Sequence, residues 1–266
     1  MVKLSFLSFI FTLFASQPAS VDNYGVIGYI NQQPVNDFDA ERKLYLLKDG
    51  DWKEYAAYPE GYQALFVTDS FTCYQKGDSI ITRNQSGKTD VFYRKGLGNA
   101  VIGKDGTICF TDKESKGYML CKSGTTVKKL NVKGWPVAVS DQHLIYFNYV
   151  PVKDGEDDVL GNFYEMRLDI VAPPVVIFKK GFPDNTLVSP DRKFILTGNG
   201  DDDANGKPQR LLVDVAGKRV SKLLVDVDKR DNCYYSYQDK AFVFFNLENM
   251  QKQVFNPDKQ KWIPFK

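Results

Sequence analysis

Hydrophobic and polar positions along this chain fall into strand-length groups punctuated by turns, with no sustained helical period between them. The stretch VSPDRKFIL (188–196) sets the pattern: a strand end, a tight turn led by Asp191, then a second strand carrying Ile195 four residues past the aspartate. The same spacing recurs at Asp22 and Val26, Asp69 and Cys73, Asp105 and Cys109, Asp141 and Ile145, and Asp239 and Val243. The six aspartates are separated by 47, 36, 36, 50 and 48 residues. A turn aspartate can accept a hydrogen bond from the backbone just ahead, and the fixed offset then gives each strand an apolar residue at an equivalent place. Periods of this length mark repeat architectures, and four-stranded propeller blades fall within the range.

The rest of each repeat reads the same way. In the fifth, NTLVS, KFILTG, RLLVDV and VSKLLVDV make four strands; in the third, NAVIG, TICFT, GYMLC and TVKKLNV do. The expected fold is all-β: one six-bladed β-propeller of four-stranded antiparallel blades, spanning 21–266. The first blade is expected to be incomplete, because its turn lies almost at the start of the mature chain.

VSPDRKFILTGNG, followed by LLVDVAGKRVSKL, resembles the TolB-like propeller repeat, in which Ser-Pro-Asp opens the second strand and an Asp-x-x-Gly element closes the third. GWPVAVSDQHLIYF (134–147) is similar to the approach into that motif. Glycine usually follows the aspartate in that repeat, where Gln142 and Arg192 stand here. The resemblance implies a six-bladed fold and a frequent role in protein–protein contact. It carries over no catalytic residue.

The N-terminus reads as a secretory signal over residues 1–20. Lys3 precedes the apolar LSFLSFIFTLFA (4–15), and small residues suited to cleavage follow in ASQPAS. A secreted or periplasmic location is expected, with no membrane span. With 35 Lys and Arg against 33 Asp and Glu, the net charge of +2 gives no electrostatic case for nucleic acid. The single histidine, His143, limits any mechanism needing several imidazoles.

Export makes disulfides plausible for a chain with 4 Cys. Cys73 and Cys109 occupy the core position of the repeat, which suits small buried thiols. Cys121, on the strand beside Cys109, offers a cross-strand disulfide candidate; no CxxC spacing suggests zinc.

Connectors between successive blades read EGY (60–62), KGL (95–97), KGW (133–135) and KGF (180–182). Tyr62, Trp135 and Phe182, with Lys133 and Lys180, form a candidate ligand-binding rim at the channel mouth, against the alternative that they pack between blades. In the loop GNGDDDANGKPQ (198–209), Asp201, Asp203 and Asn205 match the start of a calcium loop. The match fails at its twelfth position, where Leu212 replaces the bidentate Glu, so a solvated acidic turn is the main reading. Asn84 in NQS is the one glycosylation sequon. The functional expectation is a monomeric, non-catalytic module with no resident cofactor, recognising a protein or glycan. The alternative is a metal-dependent hydrolase of the lactonase or esterase type.

Overall fold

The computed structural model describes the backbone of residues 27–31, 42–48, 51–58, 62–68, 71–84, 86–103, 105–149, 161–181, 186–189, 191–202, 208–224, 232–236, 240–245 and 252–263. The signal segment and the Asp22 turn lie outside these residues. Among them the chain is all-β, in six antiparallel sheets. The first has three strands, β1 (Ile27–Asn31), β2 (Arg42–Lys48) and β3 (Asp51–Tyr58). The second has β4 (Tyr62–Thr68), β5 (Phe71–Lys76), β6 (Ser79–Asn84) and β7 (Thr89–Tyr93). The third has β8 (Leu97–Ile102), β9 (Ile108–Asp112), β10 (Tyr118–Ser123) and β11 (Thr126–Lys133).

The fourth sheet has β12 (Trp135–Ser140), β13 (His143–Tyr149), β14 (Gly161–Arg167) and β15 (Val175–Gly181). In the fifth are β16 (Leu187–Val188), β17 (Phe194–Asp202), β18 (Pro208–Asp214) and β19 (Arg219–Leu224). The sixth has β20 (Asn232–Ser236), β21 (Ala241–Phe245), β22 (Lys252–Asn256) and β23 (Lys261–Ile263). Each sheet is a meander in chain order, and every repeat aspartate described or bracketed by these strands lies between the first and second strands of a four-stranded sheet.

The core sits between sheets. Strand residues alternate sides, so adjacent positions on one strand pack on different neighbours. Leu144 and Tyr146 join Cys109, Met119 and Cys121 of the third sheet, while Ile145 and Phe147 join Ile195 and Val213 of the fifth. Phe194 and Leu196 face the other way, onto Phe242 and Phe244. Both faces being covered explains why second strands read as unbroken apolar runs such as LIYF and FVFF. The five described offset residues, Cys73, Cys109, Ile145, Ile195 and Val243, are all buried.

The first strands of the four-stranded sheets also lie side by side, β4 with β8, β8 with β12, β12 with β16 and β16 with β20, and β20 meets β1 of the three-stranded sheet. The last of these brings the C-terminal sheet against the N-terminal one.

The repeat turns share one backbone feature. The residue after the aspartate is left-handed in four sheets, at Gly106 (φ 79°), Gln142 (φ 61°), Arg192 (φ 59°) and Lys240 (φ 49°). That is the conformation glycine tolerates without penalty. Asp105 accepts from the Thr107 N–H at 3.0 Å and Asp191 from the Lys193 N–H at 3.2 Å, as turn aspartates do. Asp141 departs from this expectation. It is itself left-handed (φ 47°), forming with Gln142 a two-residue hairpin turn between register partners Ser140 and His143.

A second departure concerns 198–209. That segment is mostly strand, because β17 continues to Asp202 and pairs with β18 from Pro208. Only its tip lies outside the described residues.

Candidate binding face

Antiparallel alternation puts the turns after the first and third strands at one end of the sheets. The hairpins after second strands and the connectors between sheets lie at the other. Of the expected rim, this second end carries Lys133 at the end of β11 and Trp135 at the start of β12.

Its best-defined part is the connector from β11 to β12. Gly134 has φ 142° and donates its N–H to the Gly117 carbonyl at 3.2 Å. A Cβ at Gly134 would collide with the Phe147 carbonyl oxygen, so no other residue fits without backbone movement. The chain thereby passes tightly over the third-sheet hairpin and presents Trp135 at the head of β12. Trp135 is 39% exposed. On the other side of Gly134, Lys133 is the register partner of Tyr118 and holds its ammonium 5.0 Å from that ring's centroid, with Lys129 at 4.2 Å. Cations over the ring face are attracted by its quadrupole. The result is a basic, aromatic surface on a rigid base.

Next to it, Arg94 on the connector from β7 to β8 donates Nε–H to Asp112 Oδ2 at 2.6 Å. The Asp112 side chain is fully buried at the end of β9. Its other oxygen accepts the Ser115 N–H, and the Ser115 hydroxyl donates to the Asp112 carbonyl at 2.8 Å. Lys113 N–H donates to Gly96 O at 2.9 Å. Burial pushes the Asp112 carboxyl up, but the Arg94 and Ser115 hydrogen bonds outweigh it and hold the group below the usual carboxylate range. Arg94, Asp112, Ser115 and Tyr118 were not singled out by sequence reasoning. The signal available was the turn-forming run DKESKG between two apolar strands.

The remaining expected residues are dispersed. Tyr62 begins β4 and Lys180 lies within β15, but their side chains, and all of Phe182, lie outside the described residues. Asp201 lies on β17; Asp203 and Asn205 lie outside the described residues. Asn84 ends β6 on an exposed hairpin, its side-chain oxygen accepting from Ser86 Oγ at 2.7 Å and Lys88 N at 2.9 Å. Cys109 and Cys121 are register partners on β9 and β10, both buried thiols. Among the described residues no group of three His, Cys, Asp or Glu side chains stands where it would hold a metal ion. No described helix is long and apolar enough to cross a membrane.

At the opposite end, His143 Nδ1 lies 2.9 Å from Glu165 Oε1. Arg192 reaches from the fifth sheet to Glu165 at 3.5 Å, to Asp141 at 3.1 Å and to Ser140 Oγ at 3.2 Å. This network joins two sheets at their turns and engages the only imidazole.

No protein-family model and no curated protein matches the chain. Solved structures do. A protein described as TolB from Agrobacterium tumefaciens matches with a TM-score of 0.57 at 15% identity, over 80% of this chain and 83% of that one. TolB from Acinetobacter baumannii matches with a TM-score of 0.56 at 14% identity, over 95% of this chain and 66% of that one. An oligogalacturonate lyase in complex with manganese matches with a TM-score of 0.52 at 12% identity, over 91% and 76%. At these identities the likeness concerns fold alone: the chain resembles these proteins in its propeller-type arrangement of antiparallel sheets.

Proposed function

We propose that the six sheets are the blades of one closed six-bladed propeller, and that the chain, exported from the cell, is a non-catalytic binding module. The contact of β20 with β1 supports closure, since a ring brings the last sheet back to the first. The first blade then has β1 as its second strand.

The ligand face is the end carrying the connectors, and the observation that carries this reading is Trp135. A large aromatic stands 39% exposed beside Lys133 on a connector whose glycine admits no side chain. Rigid aromatics next to cations are the side chains that dominate recognition surfaces, because they bring contact area at low entropy cost. In this reading Tyr62, Phe182 and Lys180 are assigned to the same rim by their sequence positions at the other connectors. A protein partner is favoured, in keeping with the contact role that the TolB-like repeat implies; a glycan is the other ligand class.

The experiment compares wild-type and Trp135→Ala chains, immobilised, for capture of partners from the extracellular fraction and on a glycan array. Loss of capture at an unchanged melting temperature is expected. Retained capture with a lowered melting temperature would make Trp135 a packing residue and overturn the assignment.

A metal-dependent activity is the competing reading, since the oligogalacturonate lyase of shared fold is in complex with manganese. Turnover of lactones or esters that a chelator abolishes would replace the binding reading. The hairpin carrying Asp201, Asp203 and Asn205 is read as a solvated acidic turn. A calcium-dependent rise in melting temperature, cancelled by Asp203→Ala, would make it a calcium site.

A further inference from the structure

We propose that Cys109 and Cys121 are a redox pair that closes to a disulfide across β9 and β10. The two residues stand directly opposite each other in the register of a continuous pairing from Ile108–Lys122 to Thr111–Met119. Both point to the same side of the third sheet, into the cluster shared with Val139, Leu144 and Tyr146 of the fourth. Cys73 belongs to a different cluster, on the opposite side of that sheet with Ile108, Phe110 and Leu120. Sheet alternation therefore separates Cys73 from the pair, and neither thiol can reach it without disrupting the third sheet.

The two thiols also divide the chemical roles. Cys109 is fully buried, whereas Cys121 is 8% exposed and is the one an incoming reagent meets. The hydrogen bond from the Cys109 thiol holds Cys121 below the ordinary thiol value, and the same hydrogen bond, with burial, pushes Cys109 up. In thiol–disulfide exchange the thiolate attacks. The Cys121 thiolate attacks one sulfur of a donor disulfide such as oxidised glutathione, forming a mixed disulfide and releasing one donor thiol. Cys109 then gives up its proton and attacks the Cys121 sulfur, and the second donor thiol leaves. The pair loses two electrons and two protons, which the donor takes up as it becomes two thiols.

The test uses the full chain, equilibrated in oxidised glutathione, alkylated and digested with trypsin. Cleavage after Lys113 and Lys116 separates the two cysteines onto DGTICFTDK (105–113) and GYMLCK (117–122). The expected result is these peptides joined by one reducible bond, and a higher melting temperature for the oxidised protein than for the reduced. A variant carrying Cys73→Ala and Cys233→Ala keeps the bond; Cys109→Ser loses it. Recovery of both peptides as alkylated free thiols, or joined to the Cys73 or Cys233 peptide, would overturn the proposal. Wild-type mapping decides the matter even where a variant folds poorly.

Discussion

Arg94 and Asp112 meet at 2.6 Å across the gap between the second and third sheets, the arginine partly exposed and the carboxylate fully buried. One ion pair thus ties a connector to the neighbouring hairpin on the face proposed to bind. A buried carboxylate with charged and backbone donors is costly to leave unpartnered, and truncating either side strands the other. Asp112→Asn is expected to lower stability by about 2 kcal/mol, from the range for hydrogen bonds to charged groups. Urea unfolding measures it; a change within error would mean that the pair is solvated in solution.

Acid should act through the same group. Asp112, Asp191 and Asp214 are all held below the ordinary carboxylate value. For Asp112 and Asp191, burial opposes the shift and hydrogen bonds overcome it; for Asp214, the Gly217 N–H and Arg219 hydrogen bonds lead. A depressed folded-state pKa contributes stability that is fully present above the unfolded value and is lost as pH falls through the folded one. The urea midpoint is therefore expected to begin falling near pH 4, where unfolded carboxylates titrate at roughly 3.9. Asp112→Asn should flatten that decline. A midpoint that rises on acidification would contradict the assignment.

The turn after each repeat aspartate offers a backbone test. Lys240 is exposed and left-handed, in the position that Gly106 fills in the third sheet. Lys240→Gly should relieve a left-handed cost of about 1 to 2 kcal/mol while returning about half of it as unfolded-chain entropy. A net gain of about 0.5 to 1 kcal/mol is expected. Gly106→Ala should lose a similar amount, since open space surrounds that glycine and only its φ resists a side chain. A lower melting temperature for Lys240→Gly, or an unchanged or higher one for Gly106→Ala, would argue against a shared turn.

Gly134→Ala tests the base under Trp135. The added methyl meets the Phe147 carbonyl oxygen, a backbone atom that cannot rotate away. A loss of about 2 kcal/mol or more is expected, in the upper range for overpacking, together with loss of partner capture. A variant as stable as the parent would mean that the connector is loose and Trp135 not preorganised.

The sheet succession was legible because one spacing repeats: an aspartate turn followed four residues later by an apolar side chain. Cys73, Cys109, Ile145, Ile195 and Val243 all landed in buried positions on second strands for that reason. The placement of Cys109 and Cys121 on adjacent strands was legible too, since a short hairpin fixes register locally. The length of β17 was not: its polar Gly, Asn and Asp residues read as loop, yet backbone pairing with β18 extends the strand to Asp202. Nor was the Arg94–Asp112 pair, which joins the connector after β7 to the end of β9 and meets only through tertiary packing. Sequence placed Trp135 and Lys133 on one connector. The ring stacking of Lys133 on Tyr118 depends on a register that composition does not reveal.

Ring closure is the claim on which the binding face depends, and distances between hairpins test it directly. Lys88, Thr125 and Lys259 are exposed on the outer hairpins of the second, third and sixth sheets. Spin labels attached at these positions without using cysteine chemistry give two distances by pulsed electron resonance. In a closed six-membered ring the third and sixth sheets are opposite, so the 88–259 distance is shorter than the 125–259 distance. An 88–259 distance longer than 125–259 would mean an open arc, and the shared rim would not exist.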